Sequence, residues 1–325
     1  MLTIIIPAHN AEKTIEKCVN SILVQDIKEL EVIIIENAST DKTLEICHRI
    51  SEKDSRVVVY SIDEPGTSKA RNIGLKYAHG DIIGFCDADD YVEKIYASEI
   101  IYYFEKEKYD ILVFGYNVVG KKGKFIKSYI DENLYIDSSE KLINNVLFNR
   151  NILGSVCNKF FRAEILKNIY FDETLSYCED THFVVKVLSN NKDLKVKYVP
   201  RVGYNYVNNM DSVTNDFSNI FDNEQIKYVQ AMEKIREDCK LSEKNIRVLN
   251  LTIVRLCLET FLFLLLNLNV EPEKRKIRFD YICGYLIKYK ENFLKSRDVN
   301  NKQKIEIIVI LIIKKLKIDR LMYKN

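Results

Sequence analysis

Asp87, Asp89 and Asp90 place three carboxylates within four residues, directly after the apolar run Ile82-Ile83-Gly84-Phe85-Cys86. Carboxylates that close repel one another and raise one another's pKa unless a cation neutralises them. A hard divalent metal takes oxygen ligands and commonly bridges them to nucleotide phosphates. The alternative for the same residues is a solvated acidic turn, because Asp is a frequent turn residue. A second acidic pair, Glu179-Asp180, precedes the apolar helical stretch 181–188. Acids at a helix start complement its dipole; a carboxylate there can equally act as a general base.

Three further segments carry polar groups at expected strand ends. They are Pro7-Ala8-His9-Asn10-Ala11-Glu12, Glu36-Asn37-Ala38-Ser39-Thr40-Asp41 and Gly66-Thr67-Ser68-Lys69-Ala70-Arg71-Asn72. Pro7 is expected to break its strand, and small Ala8 leaves room for a flat ligand near the backbone. His9 and Asn10 offer edges that could read a base, and Arg71 suits bidentate polar contacts. Taken singly, each reads as an ordinary strand-to-helix turn or helix cap.

The elements that must position these groups follow from periodicity. Leu2–Ile6, Leu30–Ile35, Arg56–Ile62 and Asp81–Cys86 are short apolar runs of strand length. Between them lie helical patterns: 12–24, with Ile15, Val19, Ile22 and Leu23 on one face, a second behind Ser39-Thr40-Asp41, and 68–78. Strands separated by single helices imply βαβ units and a mostly parallel sheet, with ligands at the carboxyl ends of the strands. Beyond Asp110–Tyr116, a further strand, comes the polar stretch Gly120-Lys121-Lys122-Gly123. After Phe217 the pattern is helical, with Pro272 as its interruption.

Composition narrows the class. The 325 residues are 47% hydrophobic and 30% charged, an ordinary globular balance. A net charge of +2 gives a nucleic-acid partner no support. Eight cysteines show no zinc-like spacing, and Cys18, Cys47, Cys86, Cys157 and Cys257 read as reduced core thiols. The chain enters a strand at once, without a signal-like segment, so a cytoplasmic protein is expected. Segment 256–270 is apolar but holds Glu259 and is shorter than a membrane span requires. Segment 305–313 runs into Lys314, Lys315, Lys317 and Arg320. It reads either as an interfacial helix on an anionic leaflet or as a packed terminal helix with a basic end.

In order, these motifs resemble family 2 glycosyltransferases of the GT-A fold. The similarity continues through Cys157-Asn158-Lys159-Phe160-Phe161, Phe171-Asp172-Glu173 and Tyr177-Cys178-Glu179-Asp180. The resemblance implies an α/β GT-A domain, Rossmann-like with a mostly parallel sheet flanked by helices, over residues 1–215, and a helical C-terminal region over 216–325. It implies that Pro7, Ala8, His9, Asn10, Glu12, Asn37 and Arg71 bind the nucleoside of a sugar nucleotide, most often UDP. Asn37 stands where the family usually has Asp. Asp87 and Asp89 match the Asp-x-Asp motif, Asp87 towards the ribose and Asp89 on Mn2+ or Mg2+, with Asp90 supporting from behind. Asp180 matches the usual base, which implies direct displacement with inversion. Val207 stands where a basic residue is common, leaving Arg201 or Lys159 to meet the diphosphate. The implied partners are a nucleotide-sugar donor and a glycan or lipid-linked acceptor, at the inner face of the membrane. The rival readings are a sugar-nucleotide pyrophosphorylase and a non-catalytic nucleotide-sugar-binding scaffold.

Overall fold

The computed structural model describes residues 1–325 apart from 26, 28, 95, 121–122, 149–153, 192, 209–224, 267–270, 297–298, 300–302, 305–306 and 312–325. The chain divides into two units, Met1–Met210 and Asp211–Asn325. The expected boundary at 215/216 lies outside the described residues.

The first unit begins with β1 (Leu2–Ala8), α1 (Ile15–Leu23), β2 (Leu30–Asn37), α2 (Thr43–Lys53), β3 (Val57–Ile62), α3 (Thr67–Tyr77) and β4 (Ile82–Phe85). It continues with β5 (Tyr91–Val92), α4 (Tyr96–Glu105), β6 (Ile111–Gly120), β7 (Phe125–Tyr129), α5 (Ser139–Phe148), β8 (Lys159–Arg162), α6 (Glu179–Asn190) and β9 (Val196–Asn208). The strands form one sheet in the order β3-β2-β1-β4-β8-β6-β9-β5, with β7 beside β6. β3, β2, β1 and β4 pair in parallel. β8 then runs antiparallel to both β4 and β6, and β9 runs parallel to β6. The two reversals cancel, so β6 and β9 point the same way as β1. The carboxyl ends of β1, β2, β4, β6 and β9 therefore share one edge, as the crossover pattern predicts.

β1 is buried over its whole length, paired with β2 throughout and with β4 as far as Ile5. It does not break at Pro7 as expected. Backbone groups alternate in direction along a strand, and the Ile5 carbonyl points to β4, accepting from Cys86 N at 3.0 Å. Pro7 faces the same side, where β4 has already ended at Phe85, so its missing N–H costs no ladder bond. α1 starts at Ile15 rather than 12, after a turn closed by Thr14 N and Ile15 N on the Ala11 carbonyl. Its buried stripe is Ile15, Cys18, Val19 and Ile22, with Cys18 in place of the expected Leu23. At α2 only Asp41 of the expected capping run meets the helix, accepting from Thr43 N at 3.0 Å.

α3 lies close on β1. A Cβ built on Gly74 would stand 2.3 Å from Cγ2 of Ile5, a fully buried β-branched side chain with little freedom to turn. Gly74→Ala is therefore expected to destabilise by about 1–3 kcal/mol despite alanine's better helix propensity. Urea denaturation would read this as a lowered midpoint.

The second unit holds α7 (Gln225–Asp238), α8 (Glu243–Leu266) and α9 (Pro272–Lys295). Pro272 opens α9 at its first turn, where no N–H is needed, instead of interrupting a helix. Leu249, Ile253, Val254 and Cys257 of α8 and Phe279, Ile282, Cys283 and Leu286 of α9 are buried. Phe261 and Phe279 set their rings 5.9 Å apart. No helix among the described residues is long and apolar enough to cross a membrane. Of segment 305–313 only 307–311 is described, and Lys314, Lys315, Lys317 and Arg320 lie outside the described residues. The eight cysteines stand as thiols, and the five expected in the core are buried.

Candidate active site

β4 ends at Phe85 and delivers Cys86-Asp87-Ala88-Asp89-Asp90 to the carboxyl edge of the sheet. A turn closes there, with Asp90 N on the Asp87 carbonyl at 3.1 Å. Asp90 is 2% exposed and both its oxygens are engaged. Oδ2 accepts from the Tyr204 hydroxyl at 2.5 Å, and Oδ1 accepts from Val207 N at 2.7 Å. Tyr204 Oη in turn accepts from Asp87 N at 3.2 Å. Asp90 thus braces the turn against β9. Burial and the charges of Asp87 and Asp89 push its carboxyl well up.

Asp89 forms no ion pair among the described residues. Burial, joined by the Asp87 charge, pushes its carboxyl up to about 6. Asp87 spends Oδ1 on Arg71 Nη2 at 3.0 Å. Two half-buried carboxylates, one without a cation of its own, make an oxygen-only donor set with uncompensated charge. That set would suit a hard divalent ion, which Asp89 and Asp87 would hold.

Arg71, on α3, ties this corner to the start of α6. It is 3% exposed. Besides Asp87, its guanidinium donates to Asp180 Oδ1 at 2.5 Å and Glu179 Oε1 at 3.1 Å. It lies 5.4 Å from the Phe171 ring, which stacks on Phe183 at 3.9 Å. Both ends of the Arg71–Asp180 pair shift upward, which favours the charged guanidinium but the neutral carboxyl. The carboxylates hold the guanidinium charged, raising its pKa against the cost of burial. Asp180 is nonetheless pushed up to about 7, first by burial and then by Glu179 and Asp87, with Arg71 pulling the other way. One cation shared among three carboxylates leaves each of them short of a counter-charge. The other oxygen, Asp180 Oδ2, accepts from Val156 N at 3.2 Å. Arg71→Met strands the three acids and is expected to cost about 3–5 kcal/mol. Chemical denaturation near neutral pH checks this.

The two loops after β1 and β2 are laced together at the same edge. His9 Nδ1 and the Asn37 carbonyl lie 2.6 Å apart. Asn10, at φ 49°, accepts from Thr40 N at 2.9 Å and donates from its own N to Ser39 Oγ at 3.1 Å. Glu12 Oε2 accepts from Lys42 N at 3.2 Å. Asn37 is 4% exposed, and its side-chain oxygen takes Gly66 N at 2.8 Å, anchoring the start of α3. Pro7 and Ala8 are buried, whereas His9 and Asn10 are exposed on the lip.

Residues 3–170 match the model of Glycosyl transferase family 2. The chain belongs to that family.

This family 2 chain is 30% identical to glycosyltransferase GlyA of Streptococcus pneumoniae serotype 4, over 53% of its own length and 26% of GlyA. It is 28% identical to the poly(ribitol-phosphate) beta-N-acetylglucosaminyltransferase TarS of Staphylococcus aureus, over 60% of its length and 33% of TarS. The chain thus spans only a quarter to a third of these relatives. Its fold matches that of TarS 1-349, solved with UDP-GlcNAc, at a TM-score of 0.68 and 20% identity, covering 97% of this chain and 92% of that one. A mannosyltransferase of Pyrobaculum calidifontis, solved with GDP-Man and Mn2+, matches at a TM-score of 0.57 and 16% identity, covering 97% and 86%. These likenesses establish the GT-A fold.

Two expected cations of the family 2 chain fall elsewhere. Arg201 pairs with Glu99 at 3.6 Å, six residues before Val207 on β9. Lys159 is fully buried, and its Nζ donates to the Ser155 carbonyl at 2.7 Å and Asn158 Oδ1 at 2.8 Å. Burial pushes its ammonium down to about 7. It braces the turn whose Val156 N–H holds Asp180. His182 is buried in α6. Sequence reasoning missed Tyr204 as the link between Asp87 and Asp90. It also gave Arg71 a nucleotide-side role without its three acidic partners. The Tyr204-Asn205-Tyr206 alternation was the available signal, since it turns Tyr204 and Tyr206 to one side of β9.

Proposed function

We propose that this chain moves a sugar from a nucleoside-diphosphate donor, a UDP-sugar, to a hydroxyl of a glycan or lipid-linked acceptor. The transfer proceeds with inversion, assisted by Mn2+ or Mg2+, in cell-surface polysaccharide synthesis at the inner face of the membrane. The carrying observation is the Arg71 junction, which joins the Asp87–Asp89 corner to Asp180 in one buried network.

In this reading the lip formed by Pro7, Ala8, His9, Asn10, Glu12 and Asn37 receives the nucleoside. Asp87 and Asp89 hold the cation. When bound, that ion supplies charge stabilisation to the departing diphosphate. Asp180 accepts the proton of the acceptor hydroxyl as the new bond forms, and Arg71 fixes its orientation. A single base with no positioned nucleophile suits direct displacement. Residence of UDP-GlcNAc in TarS, with a like fold, supports a UDP-linked donor.

A panel of UDP- and GDP-sugars, assayed for hydrolysis and transfer with and without manganese, tests the proposal. Metal-dependent turnover of one donor is expected. Donor binding without turnover of any sugar would instead favour a scaffold. The pH profile gives a second check. Asp180 works only when ionised, so kcat is expected to rise with pH and reach half its plateau near 7. The same upward shift favours the neutral carboxyl in the fold. That stabilising contribution is complete below about pH 4 and is lost as pH climbs through about 7. A kcat flat from pH 5 to 9 contradicts the assignment.

A further inference from the structure

The β6–β7 hairpin stands apart from the rest of the first unit in what it exposes. β7 pairs with β6 along one edge, and among the described residues no strand pairs with its other edge. Ile126 is the extra residue where the register shifts, between Phe125 opposite Val119 and Lys127 opposite Val118. Phe125 is 58% exposed and Ile126 is 53% exposed. Lys124 and Lys127 beside them are exposed as well. Lys127 Nζ stands 4.3 Å from the centre of the Tyr129 ring, and Tyr129 stacks on Tyr116 at 4.8 Å. In sequence, residues 111–130 hold lysines at 121, 122, 124 and 127 and no Asp or Glu.

The hairpin is also close to the acidic corner. Phe125 lies opposite Val119, Val119 pairs with Val207, and Val207 N holds Asp90. Two strand spacings, roughly 10 Å, thus separate the β7 backbone from the strand that braces the site. Lysine on an unpaired edge strand serves to block edge-to-edge pairing. That role leaves Phe125 and Ile126, side by side and more than half in water, without an explanation. A soluble polyanion would meet the lysines alone. A surface that takes cationic ammoniums and apolar side chains together is an anionic bilayer, where lysines sit at the phosphates and Phe and Ile enter the acyl boundary.

We propose that the β6–β7 hairpin, through Lys124, Phe125, Ile126 and Lys127, docks on an anionic lipid surface and presents the neighbouring site to a lipid-carried acceptor. The acceptor clause rests on the transferase reading; the docking clause does not.

The test is co-sedimentation of the full chain with phosphatidylcholine vesicles, with and without roughly one third phosphatidylglycerol. The pairs Lys124→Gln/Lys127→Gln and Phe125→Ser/Ile126→Ser are compared with the parent, and circular dichroism monitors folding. Expected are binding to the anionic vesicles alone, weakening with salt, and a loss of about tenfold or more for each pair. Donor hydrolysis in solution stays at the parental rate in both. The proposal is overturned if the parent ignores phosphatidylglycerol, or if either pair binds as the parent does. It is equally overturned if soluble polyphosphate displaces the vesicles while the apolar pair changes nothing. Parental chain that binds vesicles but turns over no donor would refute the transferase reading and leave the docking intact.

Discussion

Asp180→Asn is expected to leave UDP bound and the sugar untransferred. The lost general base accounts for a fall in kcat of about 10²- to 10⁴-fold. The substitution is nearly isosteric, but the hydrogen-bond pattern is not. Asp180 accepts twice, from Arg71 and from Val156 N. An asparagine offers one carbonyl oxygen and must turn its amino group towards one of those donors. That mismatch falls at the start of α6 and reaches Asp87 only through their shared partner Arg71, while both carboxylates of the Asp87–Asp89 corner remain in place. Manganese-dependent UDP affinity, read by calorimetry, should therefore stay within a few-fold of the parent while single-turnover transfer collapses. Transfer at the parental rate would remove Asp180 from the role of base.

The second large effect is expected at Asp89→Ala, with the opposite division. Asp89 lacks any described cationic partner, and its ionised form is disfavoured by burial and by Asp87. A carboxyl held up at about 6 contributes stability below the ordinary carboxylate range and loses it as pH passes 6. At pH 7.5 it therefore costs stability in the absence of metal. The alanine variant should melt no lower than the parent when no metal is added, and should lose the rise in Tm that manganese and UDP together confer. Ligand that binds only the folded state stabilises by mass action, so this rise reports site occupancy directly. Loss of a direct ligand is expected to weaken metal-dependent UDP binding by more than about 100-fold, beyond the 10- to 100-fold typical of outer contacts. An undiminished rise in Tm would place the cation elsewhere.

Much of this was legible in the residues because it depends on local pattern. β1, β2, β3 and β4 announce themselves as short apolar runs, and the acids after Phe85 stand at the end of one of them. Helical spacing found α1, α2 and α3 to within a few residues. What stayed hidden depends on distance along the chain. Arg71 meets acids 16, 108 and 109 residues away, and no local spacing encodes such a meeting. β8 has four residues, and nothing in Lys-Phe-Phe-Arg states that it runs against its neighbours. Pro7 misled because the usual rule assumes a strand paired on both sides, which β1 is not beyond Ile5. Lys159 misled in the other direction. A lysine beside Asn158 near a presumed site invites a phosphate contact, but its ammonium is turned inward to hold a turn.

The antiparallel insertion of β8 has a consequence for how such a molecule can diversify. Gly84 meets Phe160 across one seam and Val113 meets Lys159 across the other, so a few rungs of ladder join the strands before Asp87 to those after it. The half that carries the loops after β1 and β2 keeps its register through the parallel pairings among β3, β2, β1 and β4. Changes in the β6–β9 half can therefore accumulate without re-indexing the first half. On the proposed reading, one inherited grip on the activated sugar could then be paired, over generations, with many different recipients.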